Sequence, residues 1–158
     1  ATQIASEYVD IADYTQIIEE PMTRYKEREG TTYEITYYIV TFAKKMNGYF
    51  SSDFIAVKVT SKGTLASIKM GDINAFSDVS IAFEETTMNQ SISKKIESTY
   101  RNSKLNMKNS NVKDQKIVLT PNGDICMYSD IVVEGVEDSN TTVSTRVVIL
   151  TVLGKKHK

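Results

Sequence analysis

The chain has little of the residues that carry most catalytic and metal chemistry. It holds one cysteine, Cys126, one histidine, His157, and no tryptophan among its 158 residues. A single cysteine excludes an internal disulfide and a cysteine-rich zinc cluster. A histidine one residue from the chain end is a poor general base, so a serine or cysteine triad lacks its imidazole. We therefore predict a protein that is not an enzyme and has no catalytic residue, cofactor or metal ligand.

Charge of one sign and long apolar runs are also scarce. Lysine and arginine total 19 and aspartate and glutamate 20, which gives a formal net charge of −1. A nearly neutral chain has no strong field for nucleic acid, so we expect no nucleic-acid partner. No stretch reaches the roughly 18 apolar residues of a membrane span, so we expect no transmembrane segment. The one dense basic run, Lys155–Lys158, is expected to be a solvated terminus.

The acidic and thiol groups that remain do not form a recognisable site. Adjacent acids point in different directions on a helix or strand, which makes Glu19-Glu20 and Glu84-Glu85 poor pairs for glycoside chemistry. Cys126 lies in an apolar strand and is interpreted as a small buried hydrophobe. Two oxygen-rich clusters lack the EF-hand spacing and are expected to be solvated loops: Asp72, Asn74 and Asp78, and Glu137, Asp138 and Asn140.

The first half of the chain is dominated by β-rich runs. Thr32–Ala43 and Tyr49–Thr60 are dense in β-branched and aromatic residues and flank Asn47-Gly48, a strong signal for a two-residue hairpin turn. A second turn at Ser61–Thr64 leads to a third strand, Leu65–Met70, and then a loop. Strict alternation predicts one core face, made of Tyr38, Val40, Phe42, Ile55, Val57 and Val59. The opposite face is too apolar to lie wholly in water, so something should cover it in part.

The second half predicts one amphipathic helix and three strands. Met88, Ile92, Ile96 and Tyr100 form one stripe of a helix over 88–102, with Asn89 or Ser91 as its N-cap. The strands are Val112–Thr120, Ile125–Glu134 and Thr142–Leu153, with a turn at Pro121–Asp124 and a polar loop at Gly135–Thr141. Because Val147–Leu150 is apolar at every position, the last strand is expected to be central and buried on both sides.

The first thirty residues give the weakest pattern. Gln3–Ile11 has the composition of a strand. Tyr14, Ile17, Ile18, Met22 and Tyr25 have helical spacing, and Asp13 with Gln16 forms a capping-box pattern. Pro21 interrupts this stretch. We predict that it is helical.

Together these patterns predict an α+β fold. It comprises antiparallel sheet, in two meander or hairpin blocks, with one or two packed helices. Residues 1–158 are expected to form a single domain. Asn-Gly recurs at Asn47-Gly48 and Asn122-Gly123, each after a helix-like segment, so two degenerate helix–hairpin units over about 1–80 and 81–158 are the alternative.

Tyrosine is the one enriched residue type, with nine in the chain. Tyr33, Tyr37, Tyr49 and Phe54 lie in or beside the first hairpin and form the candidate binding surface, because aromatic rings give contact area at low entropic cost. The alternative is that these rings only pack the sheet, since tyrosine suits half-buried strands.

The stretch from Tyr33 to Met70 resembles the hairpin unit of PepSY-like and peptidase-propeptide domains of exported bacterial proteins. The resemblance lies in the strand YEITYYIVTF, the turn and strand MNGYFSSDFIAVKVT, and the Gly turn before a short strand, KGTL. The segments 91–101 and 116–133 would suit a second, eroded unit. A cystatin-like fold would show nearly the same pattern.

The resemblance implies a secreted or cell-envelope bacterial protein with an inhibitory, chaperone-like or peptide-binding role, and it supplies no catalytic residue. A cytoplasmic location stays open, because the composition fits both compartments. We expect a non-catalytic binding domain whose partner is a protein or peptide. The alternatives are a spacer domain of a longer envelope protein and a hydrolase that uses carboxylates. Oligomeric state and ligand are not specified by the sequence.

Overall fold

The computed structural model describes residues 1–137 and 141–156. More than half of these residues lie in strands, which pair mostly antiparallel with some parallel pairing, and two helices complete the fold. The α+β class is therefore confirmed, with a sheet that is mixed rather than purely antiparallel. Asp138, Asn140 and His157, named above, lie outside the described residues. No helix in the described part of the chain is long and apolar enough to cross a bilayer.

The chain divides into two compact units. The first unit is Ala1–Lys45 with Ser51–Asp78, and the second is Met46–Phe50 with Val79–Lys158. The elements of the first unit are short helix α1, Thr2–Ala5, a single 3-10 turn at Ile11–Asp13, and five strands. The strands are β1 Thr15–Ile18, β2 Met22–Arg28, β3 Thr31–Met46, β4 Tyr49–Thr60 and β5 Leu65–Met70, except that the turn end of β3 and β4, Met46–Phe50, belongs to the second unit. The second unit contains α2, Glu85–Tyr100, and the strands β6 Asn106–Leu119, β7 Asp124–Val136 and β8 Thr142–Lys155.

The predicted hairpin turn joins β3 to β4. Asn47 and Gly48 have φ angles of 48° and 84°, and the two strands end and begin directly beside them. Positive φ at both central residues is the requirement of a type I′ turn, which explains the choice of Asn-Gly. The predicted strands Tyr49–Thr60 and Leu65–Met70 and the loop after Met70 are confirmed.

The second Asn-Gly turn has a different geometry. At Thr120–Asp124 the Thr120 N–H donates to the Asp124 carbonyl and the Gly123 N–H donates to the Thr120 carbonyl, both at 2.9 Å. The same pair of bonds closes the turn at Thr60–Thr64. The turn with Asn122-Gly123 therefore matches the turn of Gly63, and not the two-residue turn of Asn47-Gly48.

The predicted helix in residues 14–25 is wrong, and β1 and β2 replace it. Both strands pair antiparallel with β3, through Ile18 opposite Val40 and Met22 opposite Tyr37. Three residues, 19–21, lie between Ile18 and Met22, whereas only two residues, 38 and 39, lie between Tyr37 and Val40 on β3. One extra residue therefore forms a bulge around Pro21. A bulge in an edge strand tolerates proline because no ladder bond needs its missing N–H.

The N-terminal segment forms no strand either, and instead packs on the core of the first unit. Ala5 and Val9 are buried with Phe42, Ile55 and Val57 in one cluster. The core face is confirmed for these last three, and Val40 and Val59 pack against the cluster partly buried. The prediction that Tyr38 lies on the core face is wrong. Its side chain is 40% exposed and is not part of the cluster, which extends along β3 only as far as Val40.

The second unit buries one stripe of α2 and most of β7. Met88, Ile92 and Ile96 are buried, which confirms the helical stripe. The predicted caps are wrong, because the helix begins one turn earlier, after Glu84. The central strand is β7, which pairs with both β6 and β8, whereas the predicted central strand β8 leaves Val148, Leu150 and Val152 between 43% and 60% exposed.

Candidate functional site

The hairpin of β2 and β3 separates its charges onto two faces. Lys26 lies directly opposite Tyr33, and Arg24 lies opposite Ile35, so these four side chains share one face. Glu34 lies opposite Tyr25 on the other face. All seven residues of β2 are exposed to solvent, and Tyr33 is 51% exposed. The first predicted binding residue is therefore an accessible ring beside two cations.

The same face continues into the body of the first unit through Tyr37. Tyr37 is only 8% exposed, and the ammonium of Lys58 on β4 lies 4.1 Å from its ring centroid. This distance fits a cation–π contact. The contact places Lys58, and every second residue of β4 with it, on the face that carries Tyr33.

Phe54 lies on this face as well, because it is four residues from Lys58 on the same strand. Its half-buried ring has the Lys69 ammonium of β5 at 5.9 Å. Gly71 packs so closely that an added Cβ would lie 2.6 Å from the ring and 2.0 Å from the Ser52 carbonyl oxygen. Glycine at position 71 therefore allows the loop after β5 to hold Phe54 in place.

We call this surface the basic face: the residues on the Tyr33 side of β2, of β3 from Thr31 to Ile39, of β4 from Phe54 to Lys58, and of β5. Its cations are Arg24, Lys26, Arg28, Lys58 and Lys69. The strand residues that share this face include no acid. Glu27 and Glu29 lie beside its outer end, where they line a groove together with Lys26 and Arg28. Among the described residues, Arg28 pairs with Glu29 at 3.8 Å, while the other four cations form no ion pair. A groove of about 620 Å³ runs beside Lys26 and Tyr33 at its outer end.

Tyr49, the fourth predicted residue, is not part of the basic face. It belongs to the second unit, where its hydroxyl donates to Glu85 Oε1 at 3.0 Å and its ring lies 5.9 Å from that of Phe83. Burial, followed by the bond to Glu85, raises the pKa of Tyr49, so the phenol stays protonated and remains a donor. The structure therefore brings three of the four predicted residues together and separates the fourth.

A buried carboxylate lies inside the first unit. Asp53 has no solvent exposure, and its Oδ1 accepts a hydrogen bond of 2.6 Å from the Tyr14 hydroxyl. Its Oδ2 has no hydrogen-bond partner among the described residues. Burial raises the pKa of Tyr14, and the bond to Asp53 and the charge of Asp53 raise it further. The Tyr14 hydroxyl is thus the side-chain donor to the buried Asp53 carboxylate, and this bond fixes the N-terminal segment to β4.

The other candidate groups stay apart. Glu19-Glu20 lies between β1 and β2, and Glu84-Glu85 lies at the start of α2. Cys126 is 2% exposed, and burial raises the pKa of its thiol, which disfavours the reactive thiolate. Within residues 1–137 and 141–156, no three His, Cys, Asp or Glu side chains group as metal ligands would.

Sequence reasoning missed the basic face because it used the aromatic residues and not the cations. The signal was present in β2, where Met22–Arg28 places a cation at every second residue from Arg24 onward. Period two is the period of a strand. Interpreting residues 14–25 as a helix removed that period from consideration.

Comparisons with known proteins give no relative from which function could be transferred. No protein-family model, no curated protein and no solved structure matches this chain.

Proposed function

We propose that this protein is a non-catalytic binding module that holds an extended, acidic peptide segment on the basic face. The observation that carries the proposal is the separation of charge on the β2–β3 hairpin, with Arg24 and Lys26 on one face and Glu27 and Glu34 on the other. A net charge of −1 does not by itself place the cations and the acids of a hairpin on opposite faces. A positive surface meeting a negative partner steers association and fixes orientation.

The apolar part of the basic face supports a peptide as the partner. Ile35 and the ring of Tyr33 lie between the cations, and they offer contact area to the apolar side chains of a bound segment. Single-stranded nucleic acid would use successive open rings as stacking platforms. Only the Tyr33 ring is that open, because Lys58 covers Tyr37 and the ring of Phe54 is half-buried.

The experiment measures binding of a labelled ten-residue peptide of alternating Glu and Val by fluorescence polarisation. A Lys-Val peptide and a ten-nucleotide oligo-dT serve as comparisons, at 50 and 200 mM salt. We expect the acidic peptide to bind and the affinity to fall with salt, because exposed charges are screened over about 8–10 Å. Tighter binding of oligo-dT than of the acidic peptide at 200 mM salt would overturn the choice of a peptide, and no binding of either would overturn the site.

Matched variants locate the interaction. Lys26→Glu with Lys58→Glu should weaken peptide binding about tenfold, since each exposed pair contributes up to about 1 kcal/mol. Lys94→Glu with Lys113→Glu changes the net charge equally on the second unit and should leave the affinity unchanged. Tyr33→Ala should weaken binding, whereas Tyr25→Ala, on the other face of the same hairpin, should not. Equal effects of the two lysine pairs would point to a general charge effect and refute the site.

We further infer that the strands form two hairpin blocks, and that the module belongs to an exported bacterial protein of the PepSY-like kind. The support is the resemblance of Tyr33–Met70 together with the Asn47-Gly48 turn. The location that follows is extracellular or in the cell envelope. The full reading frame of the gene tests this inference: a signal peptide upstream supports it, and a frame that begins without one contradicts it.

A further inference from the structure

The second unit contains a pocket that the basic face does not involve. Its volume is about 340 Å³, and apolar side chains of Phe83, Met88, Val152 and Leu153 form part of its wall. This volume falls in the range of small-molecule sites, which combine apolar walls with a few polar groups. The pocket lies between the first two turns of α2 and the end of β8.

The polar lining of the pocket consists of three neutral hydroxyl residues and one carboxylate, which is the acceptor Glu84. Glu84 lines the pocket beside the ring of Phe83, and its Oε2 accepts a bond of 3.3 Å from the Thr87 hydroxyl. Glu85 lies one residue further on and is held by Tyr49. The first turn of a helix presents about half a positive charge. Glu84 is the one charged residue among the described residues that line the pocket, and its full negative charge exceeds that half charge.

A buried hydroxyl without a partner lies in the wall. Thr151 is 6% exposed and lines the pocket, and its Oγ1 has no hydrogen-bond partner among the described residues. Buried polar atoms are nearly always paired, so an unpaired one calls for an explanation such as a bound group. A hydroxyl oxygen can accept a hydrogen bond from a ligand N–H.

We infer that this pocket binds an alkylammonium group, with its carbon chain against the apolar wall and its ammonium beside Glu84 and the Phe83 ring. An aromatic face and a carboxylate together select a cation over a neutral group of the same shape. The Tyr49 ring, tilted 43° to that of Phe83, holds the aromatic side of the site in place. Both a lysine side chain of a protein partner and a free amine present this chemistry.

The test compares three probes of equal length by isothermal titration calorimetry and by ligand-observed NMR: hexylammonium, hexanol and hexanoate. We expect hexylammonium to bind at least about tenfold more tightly than hexanol, and hexanoate not to bind. N-acetyl-lysine methylamide distinguishes the sources, since it binds if the site takes a lysine side chain and fails if only a free amine fits. Equal affinities for hexylammonium and hexanol, or no binding of hexylammonium at 10 mM, would overturn the inference.

Variants assign the preference to named groups. Glu84→Gln should reduce hexylammonium binding about tenfold and leave hexanol binding unchanged, and the side chain of Glu84 makes no capping bond whose loss would disturb α2. Glu97→Gln removes an exposed acid from the same helix and should change neither. Thr151→Val, which replaces the hydroxyl with a methyl group, should weaken hexylammonium binding about threefold. An equal loss in Glu84→Gln and Glu97→Gln would show that only long-range charge acts, and would refute the site.

Discussion

Removing the Tyr14 hydroxyl should destabilise the protein by an amount that is easily measured. In Tyr14→Phe the ring keeps its shape, and only the donor to Asp53 is lost. Asp53 is fully buried, its Oδ1 receives this one bond of 2.6 Å, and its Oδ2 has no partner among the described residues. The variant therefore leaves a buried carboxylate without any side-chain donor.

The size of the effect follows from these contacts. A hydrogen bond to a charged group contributes about 1.5–3 kcal/mol, and an unsatisfied buried charge costs more than an unsatisfied neutral group. We expect Tyr14→Phe to lower the free energy of unfolding by about 3 kcal/mol. A typical domain has about 5–15 kcal/mol in total, so the loss is easily measured.

Urea unfolding followed by circular dichroism measures this change. Tyr8→Phe is the matched control, because Tyr8 is 46% exposed and its side chain forms no hydrogen bond to a described residue, and it should stay within about 0.5 kcal/mol of the parent. Asp53→Asn and the double variant complete a cycle whose coupling energy should exceed about 1 kcal/mol. A Tyr14→Phe variant as stable as Tyr8→Phe would refute the role of this bond.

Three further predictions concern burial and ionisation. Ile92→Ala should lower the free energy of unfolding by about 2–4 kcal/mol in urea titration, because Ile92 is 4% exposed on the packed stripe of α2, and an unchanged midpoint would contradict that packing. Cys126 should react with a thiol reagent only after the protein unfolds, and fast labelling of the native protein would contradict its burial. The folded-state pKa of Tyr14 lies above its usual value of about 10, so its contribution to stability is complete below pH 10 and is lost as the pH rises above that value. Stability of the parent should therefore fall more steeply above pH 10 than that of Tyr14→Phe, and parallel curves would contradict the shift.

Local signals in the sequence were sufficient where one interaction decides the structure. Asn47-Gly48 defined the first hairpin because few other residues accept positive φ at two successive positions. The stripe of Met88, Ile92 and Ile96 defined α2 because a strand would place the polar Gln90 and Lys94 on the same face as the apolar residues, whereas a helix separates them.

Prediction failed where tertiary pairing decides between two local possibilities. Residues 14–25 have helical spacing, yet they pair with β3, and Pro21 falls at the bulge where it breaks no ladder bond. The apolar run Val147–Leu150 did not reveal that β7 lies at the centre, because β7 is equally apolar and only the pairing order separates them.

The candidate site was predicted only in part, because its cations come from three strands. Tyr33, Tyr37 and Phe54 were found from their aromatic character alone. Lys58 and Lys69 join them only through the β4–β5 register and the contact with Tyr37. A single sequence does not contain that register, so the charge of the face was not visible in it.

The most direct test of the account is zero-length carbodiimide cross-linking of the protein to the Glu-Val peptide, with the linked lysines identified by mass spectrometry. The basic face predicts links at Lys26, Lys58 and Lys69, and none at the exposed Lys94 and Lys113. Links concentrated on Lys94 and Lys113, or spread evenly over all five, would contradict the claim that the β2–β5 surface receives an acidic segment.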